Sequence, residues 1–255
     1  MNPLPRPTVS SVVILLADRF YAEAIRNISS AVFPGAKITV ATNAPEASET
    51  LHRENADLLI TGAGASIEGD VIELLMRWFS RRPNAHRVLV VTAERQYRMM
   101  DALRRLAIPG VFDSNAERPE GLAEALRIVG AGGRYWSPTL IDFMTHSRIK
   151  TPPLSLILTA GEQVILSIVG DGSDDITAAR QLGISPATVS TVRRDLHRKL
   201  GVQHRGELIR IAAQNGYVQF TPNGVVRPGF ALFSAEYYAR RSRRNGLPPP
   251  SQPLN

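Results

Sequence analysis

The residues best placed to do chemistry lie between 185 and 200. Ser185-Pro186 is a helix start signal, an N-cap hydroxyl followed by proline at the first helical position, so the stretch to Leu200 is predicted to be helical. Val189, Val192, Leu196 and Leu200 then share one face, and Ser190, Thr191, Arg194, His197 and Arg198 share the other. Ser190, Arg194 and Arg198 are spaced i, i+4, i+8 and form a single row. Such a row fits a major groove, where arginine pairs bidentately with guanine and threonine offers a methyl group to thymine. Arg193 and Lys199 flank it, where backbone phosphates would lie. The same residues could equally form a solvated polar face, so the neighbouring elements must decide between the two readings.

Those neighbours are helical. Thr159, with Glu162 three residues on, is a capping box opening a helix through QVILSIVGDG. Asp174 is a cap for a short helix ending near Leu182, and Gly183 closes it as a residue tolerant of positive φ. A further helix is expected from about His204 to Gln214. A short helix, a glycine turn and a second helix with its own start signal form a helix-turn-helix. Upstream, residues 10–130 alternate short apolar runs (VVILLA, KITVA, DLLIT, RVLVVT, GVF) with amphipathic stretches. Continuously apolar strands between helices imply a parallel sheet covered on both faces. Five β/α repeats of this size make an α/β doubly wound, flavodoxin-like domain.

The segment LTAGEQVILSIVGDGSDDITAARQLGISPATVSTVRRDLHRKLGVQHRGELIRIA resembles the LuxR-type DNA-binding domain of NarL/FixJ response regulators. The matches run over more than 50 residues. They include Leu158-Thr159 with Glu162, Gly172, Gly183-Ile184-Ser185, Thr188-Val189, Lys199-Leu200-Gly201-Val202 and Arg205-Glu207-Leu208. The resemblance implies that 186–200 is the recognition helix. Ser190, Thr191 and Arg194 would face base edges, and Thr188 and Lys199 would help grip the backbone. It also implies that the last helix, through Glu207, Leu208 and Ile211, pairs two copies on a dyad site. Two positions depart from the family pattern, Ser190 for its lysine and Val192 for its histidine. Each missing cation removes at most one phosphate or base interaction, so weaker nonspecific affinity or an altered sequence preference is expected.

The first half is similar to receiver domains over about 120 residues, and GRYWSP matches the way this family leaves its receiver. A working receiver needs acids after its first strand for Mg²⁺ and an Asp after its third strand for phosphate. It also needs a hydroxyl after the fourth strand and a Lys after the fifth, because a hard cation and a phosphoryl group demand oxygen ligands and positive charge. Here Ala17-Asp18-Arg19 keeps one acid, Gly62 stands at the acceptor position, Thr92 is retained and Ser114 replaces the lysine. Val111 occupies the place of the usual switch aromatic. Asp57 starts a strand and Asp113 reads as a solvated loop acid, so neither is a substitute acceptor. The expectation is a pseudo-receiver without aspartyl phosphate. The surroundings of Asp18, Arg19, Gly62 and Thr92 could hold a small anion, with Gly62-Ala63-Gly64 as loose backbone beside it, or could be a filled-in vestige.

Composition excludes other chemistries. With 255 residues and no cysteine, the chain has no disulfide, thiol nucleophile or Cys-ligated metal. Its five histidines show no metal spacing, and no P-loop or nucleophile elbow occurs. The reading is therefore a non-enzyme with no cofactor and no metal. No apolar run approaches a membrane span, and the first residues are too short a match for a secretory signal, so a cytoplasmic place is expected. Of the net charge of +7, +4 falls within 221–255, which fits a polyanionic partner.

The expected organisation is a pseudo-receiver over 1–132, a linker over 133–153, and a helix-turn-helix domain over 154–220. A basic, largely disordered tail would cover 221–255. The expected function is a sequence-specific regulator binding double-stranded DNA as a homodimer. Two alternatives stay open: an adaptor working through protein contacts of the pseudo-receiver, and a regulator gated there by a small ligand.

Overall fold

Runs that are apolar on both faces, such as Val12–Leu15 and Val88–Val91, can only sit between two covering layers, and that is where they lie. A computed structural model describes residues 9–63, 69–81, 87–150, 152–222 and 224–245. The chain divides into two units, residues 1–95 with 103–145, and residues 96–102 with 146–255.

The first unit is built on β1 (Ser11–Leu15), β2 (Lys37–Ala41), β3 (Leu58–Gly62), β4 (Val88–Thr92), β5 (Gly110–Asp113) and β6 (Tyr135–Trp136). All pair in parallel in the order β2-β1-β3-β4-β5-β6. The helices between them are α1 (Arg19–Val32), α2 (Ala44–Arg53), α3 (Val71–Arg81), α4 (Tyr97–Arg105) and α5 (Pro119–Gly130), followed by α6 (Pro138–Lys150). Val12, Ile14, Leu58, Ile60, Leu89 and Val91 point to one face and pack with Ala22 and Ile25 of α1 and Leu122, Leu126 and Val129 of α5. The alternate residues Val13, Leu59 and Val90 are equally buried on the other face, as the two-residue period of a strand requires. The chain order reverses between β1 and β3, so the strand ends there open onto a crevice.

The sheet has six strands where the sequence predicts five. Tyr135 and Trp136 pair beside Gly110 and Val111, and the Trp136 Nε1–H donates to the Ile108 carbonyl at 3.0 Å. A two-residue strand lacks the length for an apolar pattern and is held by that tertiary bond. Residues 135–150, expected as linker, are therefore strand and helix.

The second unit holds α7 (Leu154–Ile157), α8 (Ala160–Val169), α9 (Asp175–Leu182), α10 (Pro186–Leu200) and α11 (Arg205–Gln214). A hairpin of β7 (Gln219–Thr221) and β8 (Gly224–Val226) follows, then α12 (Phe230–Asn245). Its core gathers Val164, Ile165, Ile168, Ala178, Leu182, Val189, Leu196, Leu208, Tyr217 and Val218. The expectation of a largely disordered tail fails over 230–245, which is helix. Phe230, Tyr237 and Tyr238 of α12 pack on this core, which supplies the burial a lone basic segment lacks. The proline-rich end over 246–255, Gly64 of the loose-backbone expectation and Thr151 of the linker lie outside the described residues.

Gly110 marks where the sheet is tightest. A Cβ there would lie 2.7 Å from Val129 Cγ2 and 2.8 Å from the Val88 carbonyl oxygen. Gly110→Ala is expected to destabilise the first unit by about 1–3 kcal/mol, measured as a lower denaturation midpoint with unchanged slope.

Candidate nucleic-acid interface

The helix pair is assembled from local signals. The Asp174 carboxylate accepts from the Thr177 N–H at 2.7 Å to start α9. Gly183 ends it with φ +60, a left-handed position that favours glycine. Two residues later the Ser185 hydroxyl accepts from the Thr188 N–H at 3.1 Å, with Pro186 in the first turn of α10. Val189 and Leu196 are fully buried, and Val192 and Leu200 pack partly against the same core. That fixes the rotation of α10 about its axis.

The opposite face carries the predicted residues. Thr188, Thr191, Arg194, Arg198 and Lys199 are exposed, whereas Ser190 is half-buried. The Thr191 hydroxyl donates to the Ala187 carbonyl at 3.0 Å. Arg194 has only a long contact to the Thr191 hydroxyl, at 3.4 Å. Among the described residues no carboxylate lies within ion-pair distance of it, unlike Arg193, Arg198 and Lys199 of the same helix. Arg198 pairs with Asp195 at 3.0 Å on the surface, an exposed pair worth about 0–1 kcal/mol and easily exchanged for a phosphate. Arg193 is held by Asp175 of α9 at 2.9 Å.

Lys199 has a structural task that its spacing does not reveal. Its ammonium donates to Glu162 Oε2 at 2.9 Å. The same oxygen accepts from the Thr159 N–H at 2.8 Å and the Thr159 hydroxyl at 3.0 Å, completing the capping box of α8. One carboxylate thus joins the first turn of α8 to the last turn of α10. Burial pushes the Glu162 carboxyl up, but the bonds from Lys199 and Thr159 outweigh it and hold the group below the usual range.

Of the three residues expected at a dimer contact, Leu208 is fully buried inside its own unit and has no surface to offer a partner. Glu207 caps α11, accepting from the Gln203 and His204 N–H groups. Ile211 is half-buried.

In the first unit, the strand ends gather the expected remnants. Asp18 caps α1, accepting from the Tyr21 N–H at 3.0 Å, and Arg19 beside it is exposed. A Cβ on Gly62 would sit 3.2 Å from Leu16 Cδ2. The Thr92 hydroxyl donates to the Glu94 carbonyl at 2.8 Å and accepts from the Glu94 N–H at 3.0 Å. The Ser114 hydroxyl donates to the Thr92 carbonyl at 3.1 Å. Asp113 is not the solvated acid the sequence suggests. It is fully buried, taking Arg95 Nε at 2.8 Å, the Thr139 hydroxyl at 3.0 Å and the Asn115 N–H at 3.1 Å. Thr139 comes from α6, 26 residues away, so no local pattern could reveal the arrangement. Among the described residues no cluster of three metal-ligating side chains occurs, and no helix is long and apolar enough to cross a membrane.

A doubly wound unit with this strand order, joined to a helix-turn-helix unit, is the fold of a response regulator. The structure of RcsB from Salmonella enterica serovar Typhimurium bound to the promoter P1flhDC superimposes with a TM-score of 0.54 at 19% identity, covering 80% of this chain and 97% of that one. Residues 156–212 match the model for bacterial regulatory proteins of the luxR family. The CsgBAC operon transcriptional regulatory protein of Escherichia coli (strain K12) is 30% identical over 176 residues, 65% of this chain and 81% of that protein. The chain belongs to the luxR family of bacterial regulatory proteins. The transcriptional regulatory protein MctR of Rhizobium johnstonii is 34% identical over 97 residues, 38% of this chain and 44% of MctR. The matched region thus spans about half the length of that relative, as it does for the response regulator GacA of Pseudomonas viridiflava, at 49%.

The Glu162 carboxyl titrates lower in the folded chain than when unfolded. Its stabilisation is therefore full above its unfolded value and is lost as pH falls through the folded one. The protection factors of the α8 and α10 amides against hydrogen exchange, corrected for the intrinsic pH dependence, should fall over that acidic window. Glu162→Gln should already have lower protection at neutral pH and should lose the Glu162-linked part of its pH dependence.

Proposed function

We propose that this protein is a sequence-specific, DNA-binding transcriptional regulator that works in the cytoplasm as a homodimer and without aspartyl phosphorylation. The observation that carries the reading is the outward face of α10. Its rotation is locked by Val189 and Leu196, and its Arg194 guanidinium is held by no carboxylate among the described residues. Arginine in that state can pair with two acceptors on a guanine edge without first giving up an ion pair. Ser190 and Thr191 lie beside it for base contacts. Thr188, Arg193 and Arg198 supply the backbone grip, with Lys199 contributing only the exposed part of a side chain already tied to Glu162.

The phosphorylation-independent part rests on the first unit. Gly62 has no side chain to accept a phosphoryl group, and Ser114 has no charge to stabilise one. The buried carboxylate at the end of β5, Asp113, is already committed to Arg95 and Thr139, which leaves it a poor nucleophile. Dimerisation is assigned to α11 through Ile211 and Glu207. The adaptor and ligand-gated alternatives gain no specific support, since the Thr92 and Ser114 hydroxyls are engaged with backbone carbonyls.

Selection of random-sequence duplexes by the untreated protein should yield a dyad motif. Arg194→Ala should weaken binding to the selected site by about 1–3 kcal/mol and relax one base position; an equal loss on every sequence would make Arg194 a phosphate contact. Incubation with a small-molecule phosphodonor and Mg²⁺ should add no phosphoryl mass to the intact chain and leave the selected motif unchanged. A stoichiometric adduct cleaved by hydroxylamine, as an acyl phosphate is, would sink the phosphorylation-independent reading.

A further inference from the structure

Helix α12 lies beyond the family match, which ends at residue 212, yet it is fastened to the helix-turn-helix at two points. The Tyr237 ring rests on the first turn of α8 so closely that a Cβ on Gly161 would stand 3.0 Å from Tyr237 Cε2. The Tyr238 hydroxyl donates to the Leu182 carbonyl at 2.7 Å. Leu182 closes α9, and three residues later Ser185 caps α10. The middle of α12 is therefore moored beside the turn that precedes α10, and its C-terminal half runs on from there. Directly after this mooring the sequence reads Ala-Arg-Arg-Ser-Arg-Arg, with Arg240, Arg241, Arg243 and Arg244 inside the helix. At 1.5 Å per residue, all four follow Tyr238 within roughly 9 Å along the axis.

Helix-turn-helix domains put the N-terminal half of the recognition helix in the major groove, so the walls of that groove, rows of phosphates, flank the turn. Four arginines on a helix moored beside that turn suit a row of phosphates in charge and in hydrogen-bonding chemistry. We infer that α12 is an added part of the DNA-binding surface, whose arginines grip backbone phosphates beside the groove entered by α10. This inference rests on the DNA-binding reading above. It also supplies cations that the recognition helix lacks, Ser190 standing where the family has lysine.

The test is the salt dependence of duplex binding by the full chain. With Arg240, Arg241, Arg243 and Arg244 all changed to Gln, the slope of log affinity against log salt should become shallower by about 0.9 for each phosphate no longer neutralised. The ratio of affinities for selected and scrambled duplexes should stay unchanged, because phosphate binding carries no sequence information. The same four changed to Lys should restore most of the slope. Glutamine and lysine have helix propensities close to that of arginine, so circular dichroism should show α12 intact in both variants. A control neutralises Arg26, Arg53, Arg77 and Arg127, exposed cations of the first unit, and should barely move the slope.

A change under about 0.5 in the glutamine variant, less than one phosphate, would overturn the inference while sequence-specific binding stood. So would an equal change in the control, which would reduce the effect to overall charge. A parent chain that binds no duplex at any salt would overturn the functional reading and this inference with it.

Discussion

One oxygen atom ties the last turn of α10 to the first turn of α8. Glu162 Oε2 accepts from the Thr159 N–H, the Thr159 hydroxyl and the Lys199 ammonium. It closes the start of α8 and clamps the end of α10 to it. The opposite end of α10 is set by Ser185 and by the left-handed Gly183. With both ends fixed, the two fully buried side chains Val189 and Leu196 determine which face is left for solvent or DNA. Arg194 is outward because these other residues are inward. The arrangement draws on the cations of α10, since Lys199 and Arg193 are partly engaged by Glu162 and Asp175.

The first unit shows the reverse use of polar groups. At the strand ends, hydroxyls and carboxylates close on one another and on the backbone. Thr92 binds the loop through Glu94, Ser114 binds Thr92, and Asp113 anchors Arg95 and α6. A fully buried carboxylate is tolerable only with such partners, because losing one leaves a charge in a poorly solvating place. The Tyr21 hydroxyl, pushed up by burial and drawn down by its bond to Ser114, belongs to the same knot. These contacts make the region a structural junction between β5, the loop after β4 and α6.

Much of this was legible in the sequence. The caps of α8, α9 and α10, the glycine at 183 and the core stripe of α10 are short-range features, and each stands where its pattern places it. The five long strands were legible because apolar runs of that length have few other uses. What escaped was either long-range or very short. The Asp113 partners come from distant chain segments, and β6 is two residues long. Helix α12 is a different kind of miss. Phe230, Phe233 and Tyr237 follow an i, i+3, i+7 spacing that marks an amphipathic helix, but the arginines and prolines around them suggested a solvated tail. For the same reason the family match underestimates the folded unit: Tyr217 and Val218, both buried in its core, lie past residue 212.

Gly62 also bears on how the first unit can change over generations. An aspartate gained there would press on Leu16 and find Ser114 where a lysine would be needed and a single acid, Asp18, already occupied as a helix cap. Under the reading proposed above, building a phosphoryl-accepting site there would take several coordinated replacements, the first of them unfavourable to packing. Such a landscape behaves as a ratchet. Drift at these strand ends can deepen the polar knot or open it to a new ligand, but an acceptor site of that kind is out of reach of single steps.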